Sequence, residues 1–235
     1  MRDVKVLSLF WPDTCPFCGK VWRGGACPAC LAAVKRLEVK EPRCMQCGKP
    51  VRRAEEEYCR DCSHTYHHYD RGRSIWLHKS PVSNSIYRFK YQNQRNYGSY
   101  YANKMTECCN TFIRACNPYL IVPIPLHPAR RRKRGYNQAE VLADCLGKLT
   151  DIRVDSKGLA RIRSSSPQKL LGSRERKRNM QGAFAVTERF VPVPSILLVD
   201  DIYTTGNTID AAAEILKKSG VQNVYFLTIS IGQGY

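Results

Sequence analysis

Two adjacent carboxylates, Asp200 and Asp201, follow the apolar run ILLV at 196–199 and precede the turn TTGNT at 204–208. In an open parallel sheet, ligands bind beyond the carboxyl ends of the strands. The free N–H groups of a helix start, predicted here at Gly206, bind anions. Two acids suit vicinal hydroxyls and the turn suits a phosphate, a combination that a ribose 5-phosphate presents. A simple helix cap explains one aspartate better than two.

Cysteine spacing indicates a second kind of site. Eight of the twelve cysteines form four Cys-x-x-Cys pairs, namely Cys15/Cys18, Cys27/Cys30, Cys44/Cys47 and Cys59/Cys62. Two such pairs complete a tetrahedral sulfur shell, so two structural Zn²⁺ ions are predicted. Short loops favour sequential pairing of the Cys-x-x-Cys turns, although interleaved pairing stays open. Redox chemistry usually needs one lone pair and is less consistent with four.

Three histidines follow the last cysteine pair closely, at His64, His67 and His68. Eight cysteines already fill two zinc sites, so we expect these histidines on the surface or in a linker. The other four cysteines are scattered through sequence that looks helical: Cys108, Cys109, Cys116 and Cys145.

The elements that must position these residues fall into two predicted domains, a zinc-binding module at 1–68 and an α/β domain at 69–235. Continuous apolar runs are typical of parallel strands buried on both faces. The predicted order is helices at 81–91 and 95–116, a strand at 119–125, a helix at 137–149, strands at 182–187 and 195–200, a helix at 206–218, and a strand at 223–230.

The composition indicates a soluble globular protein, 43% hydrophobic and 25% charged over 235 residues. The N-terminal residues show no small-residue cleavage site, and the chain has no apolar run of membrane-spanning length, so we expect a cytoplasmic protein. The formal charge is +18. Eight thiolates and two Zn²⁺ ions contribute −8 and +4, which leaves +14. Such an excess favours a polyanionic partner, with a generic basic surface as the alternative.

Basic residues concentrate in two runs that we predict to bind single-stranded nucleic acid: Arg130, Arg131, Arg132, Lys133 and Arg134, and then Arg174, Arg176, Lys177 and Arg178. A solvated charged loop is the alternative for the first run. Five tyrosines are candidates for stacking on bases, and their helical spacing is equally typical of core packing: Tyr87, Tyr91, Tyr97, Tyr100 and Tyr101.

The stretch LLVDDIYTTGNT resembles the signature with which type I phosphoribosyltransferases bind phosphoribosyl pyrophosphate (PRPP). The resemblance implies that Asp200 and Asp201 hold the ribose hydroxyls. It also implies that the turn binds the 5′-phosphate through Thr204, Thr205, Gly206, Asn207 and Thr208.

Two further segments, VPIPLHPARRRKRGYNQAEVLA at 122–143 and RIRSSSPQKLLGSRERKRNMQGAF at 161–184, resemble the ComF family when taken with the cysteine module. In that family the first segment occupies the pyrophosphate loop. The second matches its pattern at Arg161, Arg163, Gln168, Glu175, Arg176, Asn179 and 182–184. Serine stands at Ser166, where the family often carries threonine. Lys90 and Tyr91 fall in a stretch that resembles the family's site-lining lysine and tyrosine.

The resemblance implies a type I phosphoribosyltransferase fold preceded by a double zinc ribbon, with Mg²⁺ accompanying PRPP. The implied role is the handling of internalised single-stranded DNA in natural transformation, alongside other DNA-uptake proteins. Asp200, Asp201 and Arg134 are the implied catalytic residues, with Arg134 on the leaving pyrophosphate. The acceptor is not indicated. The alternative is a DNA-binding or adaptor module without turnover, in which PRPP is a regulatory ligand or is not bound.

Overall fold

The structure is a computed structural model that describes residues 13–163 and 182–233. Its helices are α1 (Pro28–Lys35), α2 (Arg60–His64), α3 (Val82–Tyr91), α4 (Tyr97–Cys116), α5 (Pro128–Arg134), α6 (Gln138–Thr150) and α7 (Asn207–Lys218). Its strands are β1 (Arg71–Leu77), β2 (Leu120–Pro123), β3 (Leu159–Arg161), β4 (Phe184–Val186), β5 (Ser195–Tyr203) and β6 (Asn223–Ile231).

Four strands form an open, entirely parallel sheet in the order β1-β6-β5-β2. The central strands β5 and β6 are buried along almost their whole length, as their continuous apolar sequences require. Strands β3 and β4 pair separately as a small antiparallel ribbon. The predicted fold class, an open parallel sheet with flanking helices behind a small four-cysteine zinc module, is confirmed.

Alternating side chains of the strands point to opposite faces of the sheet and form two separate hydrophobic cores. On one face, Leu197 and Val199 of β5 pack with residues of α3, α4 and α6 and with Phe17 beside the first cysteine pair. On the other face, Ile196 and Leu198 pack with α7 and with residues around the third and fourth cysteine pairs. The two cysteine-rich segments therefore cover opposite faces of the sheet.

Five of these elements were not predicted from the sequence, namely α1, α2, β1, α5 and β3. Strand β1 was missed because arginine, glycine and serine interrupt its apolar residues; in the structure, its buried Ser74 hydroxyl lies 2.6 Å from the Thr228 hydroxyl of β6. Helix α5 was missed because its sequence, PARRRKR, has the composition of a solvated loop. Pro128 at its first position and a ring nitrogen of His127 accepting from the Ala129 N–H are the signals that define its start.

Strand β5 continues to Tyr203, three residues past its predicted end at 200. Asp200 and Asp201 therefore lie within the strand and not beyond it. Pairing with β6 runs through Tyr203, whereas pairing with β2 stops at Pro123 and Val199. The edge of β5 that faces β2 is thus left open at the two aspartates.

Among the helices that the structure describes, none is long and apolar enough to cross a membrane.

Candidate zinc clusters and ligand-binding cavity

Eight cysteine thiols converge into two groups of four, which we call the first cluster (Cys15, Cys18, Cys27 and Cys30) and the second cluster (Cys44, Cys47, Cys59 and Cys62). Within each group all sulfur atoms lie within 4.8 Å of one another. The Cys18–Cys27 and Cys47–Cys59 sulfur separations are 3.9 and 3.6 Å. A tetrahedral zinc–thiolate site requires an edge of about 3.8 Å, given Zn–S bonds of about 2.3 Å.

The thiols therefore fit two closed, structural zinc sites, and the preferred sequential pairing is confirmed. Gly19 and Gly48 follow the first cysteine pair of each cluster, and both have φ near +76°. Each glycine accepts a backbone conformation that other residues adopt at a cost, so the same tight turn is built twice.

The histidines beside the second cluster do not all lie where the sequence placed them. His64 is exposed and His68 is half-buried. His67 is buried: its ring stacks on Tyr69 at 4.8 Å between centroids, and its Nδ1 lies 3.6 Å from Oδ1 of Asp210. The prediction of a surface or linker position is therefore wrong for His67, because the segment after Cys62 folds back against α7.

The open edge of β5 forms one wall of a cavity of about 270 Å³. Asp201 is buried and its Oδ2 lies 2.9 Å from Nζ of Lys90 in α3. The Asp200 carboxylate accepts a hydrogen bond from the Asp201 N–H. Burial, reinforced by the charge of Asp201, raises the pKa of Asp200 to about 7. One carboxylate is thus neutralised by an ion pair, and the other is held partly protonated.

Another part of the cavity lining is cationic. Arg130 and Arg134 reach the cavity from α5, and Arg161 reaches it from β3. Arg161 is buried against the ring of Phe184 at 5.4 Å, and burial together with the charge of Arg130 lowers its pKa. Arg134 donates to Oε1 of Gln138 at 2.6 Å and lies over the ring of Tyr91 at 4.8 Å. These contacts hold the guanidinium groups of Arg134 and Arg161 at the cavity lining.

The turn at 204–208, which we call the phosphate turn, closes one end of the cavity, and Thr204 and Thr208 line it. Gly206 has φ +78° and precedes the first residue of α7. A Cβ atom at Gly206 would approach the Tyr203 hydroxyl to 2.5 Å, so the turn needs glycine for both conformation and space. Free N–H groups of the helix start complete a cradle suited to an anion.

The cavity thus brings together Asp200, Asp201, Arg134, Thr204, Thr208 and Arg130, all singled out from the sequence. Thr205, Gly206 and Asn207 belong to the same turn without lining the cavity. The other members of the first basic run lie outside it: Arg131 pairs with Glu140 at 2.5 Å, and Arg132 and Lys133 are exposed. The second run, Arg174, Arg176, Lys177 and Arg178, lies outside the described residues, as do Ser166, Gln168, Glu175 and Asn179.

The five tyrosines divide into two classes. Tyr97 and Tyr101 are buried in the core, and Tyr100 packs against Phe17, which confirms the packing alternative for these three. Tyr87 and Tyr91 are about 60% exposed, at 59% and 58%, and their rings lie 4.9 Å apart on α3 beside Arg134. Only this second pair is open to a base.

Sequence reasoning missed two polar residues of the cavity wall, Asn137 and Gln138. The Asn137 amide donates to the Ile124 carbonyl and its oxygen accepts from the Ala139 N–H, which joins the end of β2 to the start of α6. Asparagine before a predicted helix is a cap signal that could have indicated this position. No comparable signal marks Gln138.

Comparisons with known proteins agree with this architecture. A double zinc ribbon domain model matches residues 6–63. Competence protein F of Haemophilus influenzae is 30% identical over 207 residues, covering 86% of this chain and 88% of that protein. DNA utilization protein YhgH of Salmonella typhimurium is 28% identical over 224 residues, covering 93% and 95%.

Among solved structures, a purine phosphoribosyltransferase from Pyrococcus horikoshii aligns with a TM-score of 0.32 at 14% identity, covering 56% of this chain and 87% of that chain. The similarity to competence protein F covers most of both chains. The chain therefore belongs to the ComF family of competence proteins.

Proposed function

We propose that this protein binds PRPP in the cavity beside β5, and that it handles single-stranded DNA in a competence pathway. The observation that carries the proposal is the cavity itself. It places two carboxylates, a cationic wall and a helix start around one space of about 270 Å³. Those are the three recognition elements that a ribose, a pyrophosphate and a 5′-phosphate require.

The 5′-phosphate, the ribose and the pyrophosphate of the ligand would each face a different part of the cavity lining. The 5′-phosphate takes the phosphate turn, and the ribose hydroxyls face Asp200 and Asp201. The pyrophosphate lies against Arg130 and Arg134. The buried amide nitrogen of Gln138, which lines the cavity, has no hydrogen-bond acceptor among the described residues, and this favours a site completed by an anionic ligand.

The cavity also suits a hard divalent cation brought in with the ligand. Mg²⁺ keeps several waters and is usually held by one or two carboxylates together with substrate phosphates. Asp200 and Asp201 supply the carboxylates, while Lys90 limits the charge that Asp201 can offer. In a transfer reaction, Arg134 would stabilise the charge on the departing pyrophosphate.

Single-stranded DNA would bind beside the cavity and not within it. Arg132 and Lys133 are exposed on α5, and Arg134 of the same helix contacts Tyr91 of the open tyrosine pair on α3. Cations that track phosphates beside aromatic rings that accept bases are the usual features of a single-strand site. The relatives named competence protein F and DNA utilization protein YhgH support this use.

The second candidate function retains ligand binding without turnover, as in an adaptor that responds to PRPP. The exposed cations of α5, which the cavity does not use, favour it. Pyrophosphate release from PRPP, assayed with and without oligonucleotide, separates the two: release identifies a transferase, and stoichiometric binding without release identifies an adaptor.

The first experiment is calorimetric titration of PRPP in Mg²⁺ into the wild type and the Asp200→Asn/Asp201→Asn variant. We expect binding by the wild type and its loss in the variant. The matched control is Asp144→Asn/Asp151→Asn, which removes the same two charges from exposed positions of α6 and its C-terminal cap. Absence of binding by a wild type that carries two zinc ions would overturn the proposal.

A further inference from the structure

The second cluster lies directly behind the phosphate turn. Lys49 follows the Cys47–Gly48 turn, and Asp61 stands between Cys59 and Cys62. The Lys49 ammonium lies 2.5 Å from Oδ2 of Asp61 and is almost fully buried, with 4% of its side chain exposed. The same ammonium lies 5.7 Å from the centre of the Tyr203 ring. The Lys49 ammonium, held by Asp61 from the other half of the cluster, therefore lies beside Tyr203, the last residue of β5.

Tyr203 carries this contact to the turn. Its hydroxyl is 2.6 Å from the Tyr69 hydroxyl, and its ring is stacked on Phe226 at 4.7 Å. The position that a Gly206 Cβ would occupy is only 2.5 Å from the same Tyr203 hydroxyl. Tyr203 is therefore fixed on three sides and supports the backbone of the phosphate turn from behind.

Asp210 makes a second connection in the first turn of α7. Its Oδ1 accepts a hydrogen bond of 2.6 Å from the His68 N–H and lies 3.5 Å from the His68 ring. His68 belongs to the segment that leaves the second cluster after Cys62. The start of α7, whose N–H groups complete the cradle, is thus tied to the same cluster.

We infer that the second zinc cluster is a positioning device for the phosphate turn, and that zinc there and a phosphate in the turn stabilise each other. The inference rests on the proposed function. Lys49 and Tyr69 act through Tyr203, so they are positioning residues and do not touch the ligand. By linkage, any strengthening of phosphate binding by the zinc-bound cluster is returned as tighter equilibrium binding of that zinc when phosphate is bound.

The test compares three probes by calorimetry: PRPP in Mg²⁺, ribose 5-phosphate and inorganic pyrophosphate. Lys49→Met and Tyr69→Phe should weaken ribose 5-phosphate and PRPP by about 5- to 20-fold, while pyrophosphate affinity is unchanged. Tyr100→Phe is the matched control, since the Tyr100 hydroxyl is buried without a hydrogen-bond partner among the described residues and lies on the first-cluster side. A variant that merely folds poorly would lose binding sites for all three probes.

The second readout is equilibrium competition for zinc with a colorimetric chelator. Ribose 5-phosphate should raise the affinity of the protein for one of the two zinc ions by about 5- to 20-fold and leave the other unchanged, and Tyr69→Phe should reduce this increase. Equal zinc affinity with and without ribose 5-phosphate, or unaltered ribose 5-phosphate affinity in both variants, overturns the inference alone. A wild type that binds neither PRPP nor ribose 5-phosphate overturns the proposed function and the inference with it.

Discussion

Asp200 is the residue whose environment departs furthest from that of an ordinary surface carboxylate. It is partly buried, lies next to the buried Asp201, and receives only partial compensation from Lys90 and Arg161. Because burial and a like charge both oppose ionisation, its pKa rises to about 7. A free cavity at neutral pH therefore carries a fractional proton that a ribose or a divalent cation would displace.

This proton has a consequence for stability. Since the pKa of Asp200 is higher in the folded than in the unfolded chain, the folded protein binds the extra proton at low pH and loses its benefit as pH rises through 7. The contribution of Asp200 to the free energy of unfolding should fall by about 1 kcal/mol between pH 6 and 8. Asp200→Asn should remove this component and raise Tm at pH 8 by about 2–4 °C.

Thermal unfolding of the ligand-free protein from pH 5.5 to 8.5 checks this prediction. Asp151→Asn, at an exposed helix C-cap, is the control and should keep the wild-type pH dependence. Parallel pH profiles for wild type and Asp200→Asn would show that Asp200 has an ordinary pKa.

At the scale of elements, the cationic side chains of helix α5 lie on two different surfaces. A helix presents successive residues in different directions, so one short basic segment serves two surfaces. Arg130 and Arg134, one turn apart, reach the cavity, and Arg132 and Lys133 face solvent. A solvated loop, the alternative that the sequence left open for this run, would impose no such separation.

The separation predicts that substitution of the exposed cations changes DNA binding without changing PRPP binding. Arg132→Ala/Lys133→Ala should reduce the slope of log affinity against log salt for single-stranded DNA by about 1.4 and leave PRPP affinity unchanged. Binding of a fluorescent oligonucleotide between 50 and 300 mM salt measures the slope. Lys35→Ala/Arg36→Ala removes the same charges at the exposed end of α1 and is the control. An unchanged slope would remove α5 from the DNA surface.

How much could be predicted from sequence differs between elements for a physical reason. Strands β5 and β6 carry apolar runs because both of their faces are buried, so both strands can be predicted from the sequence. Strand β1 lies at an edge and includes Arg71 and Arg73, and its apolar signal is correspondingly weak. The aspartates and the turn could be singled out because their spacing is local, and the structure brings both to one cavity, whereas Gln138 and the burial of His67 depend on elements distant in the chain.

At the scale of the whole molecule, the cysteine clusters are integrated with the sheet. Phe17 packs edge-on against Trp76 of β1 at 5.7 Å, and Arg88 of α3 donates to the Pro16 carbonyl at 3.0 Å. The second cluster contributes to the core on the other face. The division at residue 68 or 69 stays a prediction, but these contacts imply that the two parts stabilise each other.

Zinc chelation tests this coupling. Residues 1–68 should lose structure first, because metal binding supplies much of the folding free energy of a small zinc site. The sheet should then unfold at a lower temperature than in the zinc-loaded protein, since both of its faces lose packing partners. Thermal unfolding followed by far-ultraviolet circular dichroism, with and without chelator, gives the two temperatures. An unshifted sheet transition would show that the parts are energetically independent.

The strand order also determines at which stage of synthesis the sheet can be completed. Strand β6 is the last element of the described chain, yet it occupies an interior position between β1 and β5. Its Thr228 meets Ser74 across a sequence separation of 154 residues. Both cysteine clusters close over short loops, so they can take up metal while the ribosome is still far from the final strand. During synthesis the nascent chain should therefore pass through a stage with loaded zinc sites and an incomplete sheet, and its apolar strand β5 would then need protection from aggregation.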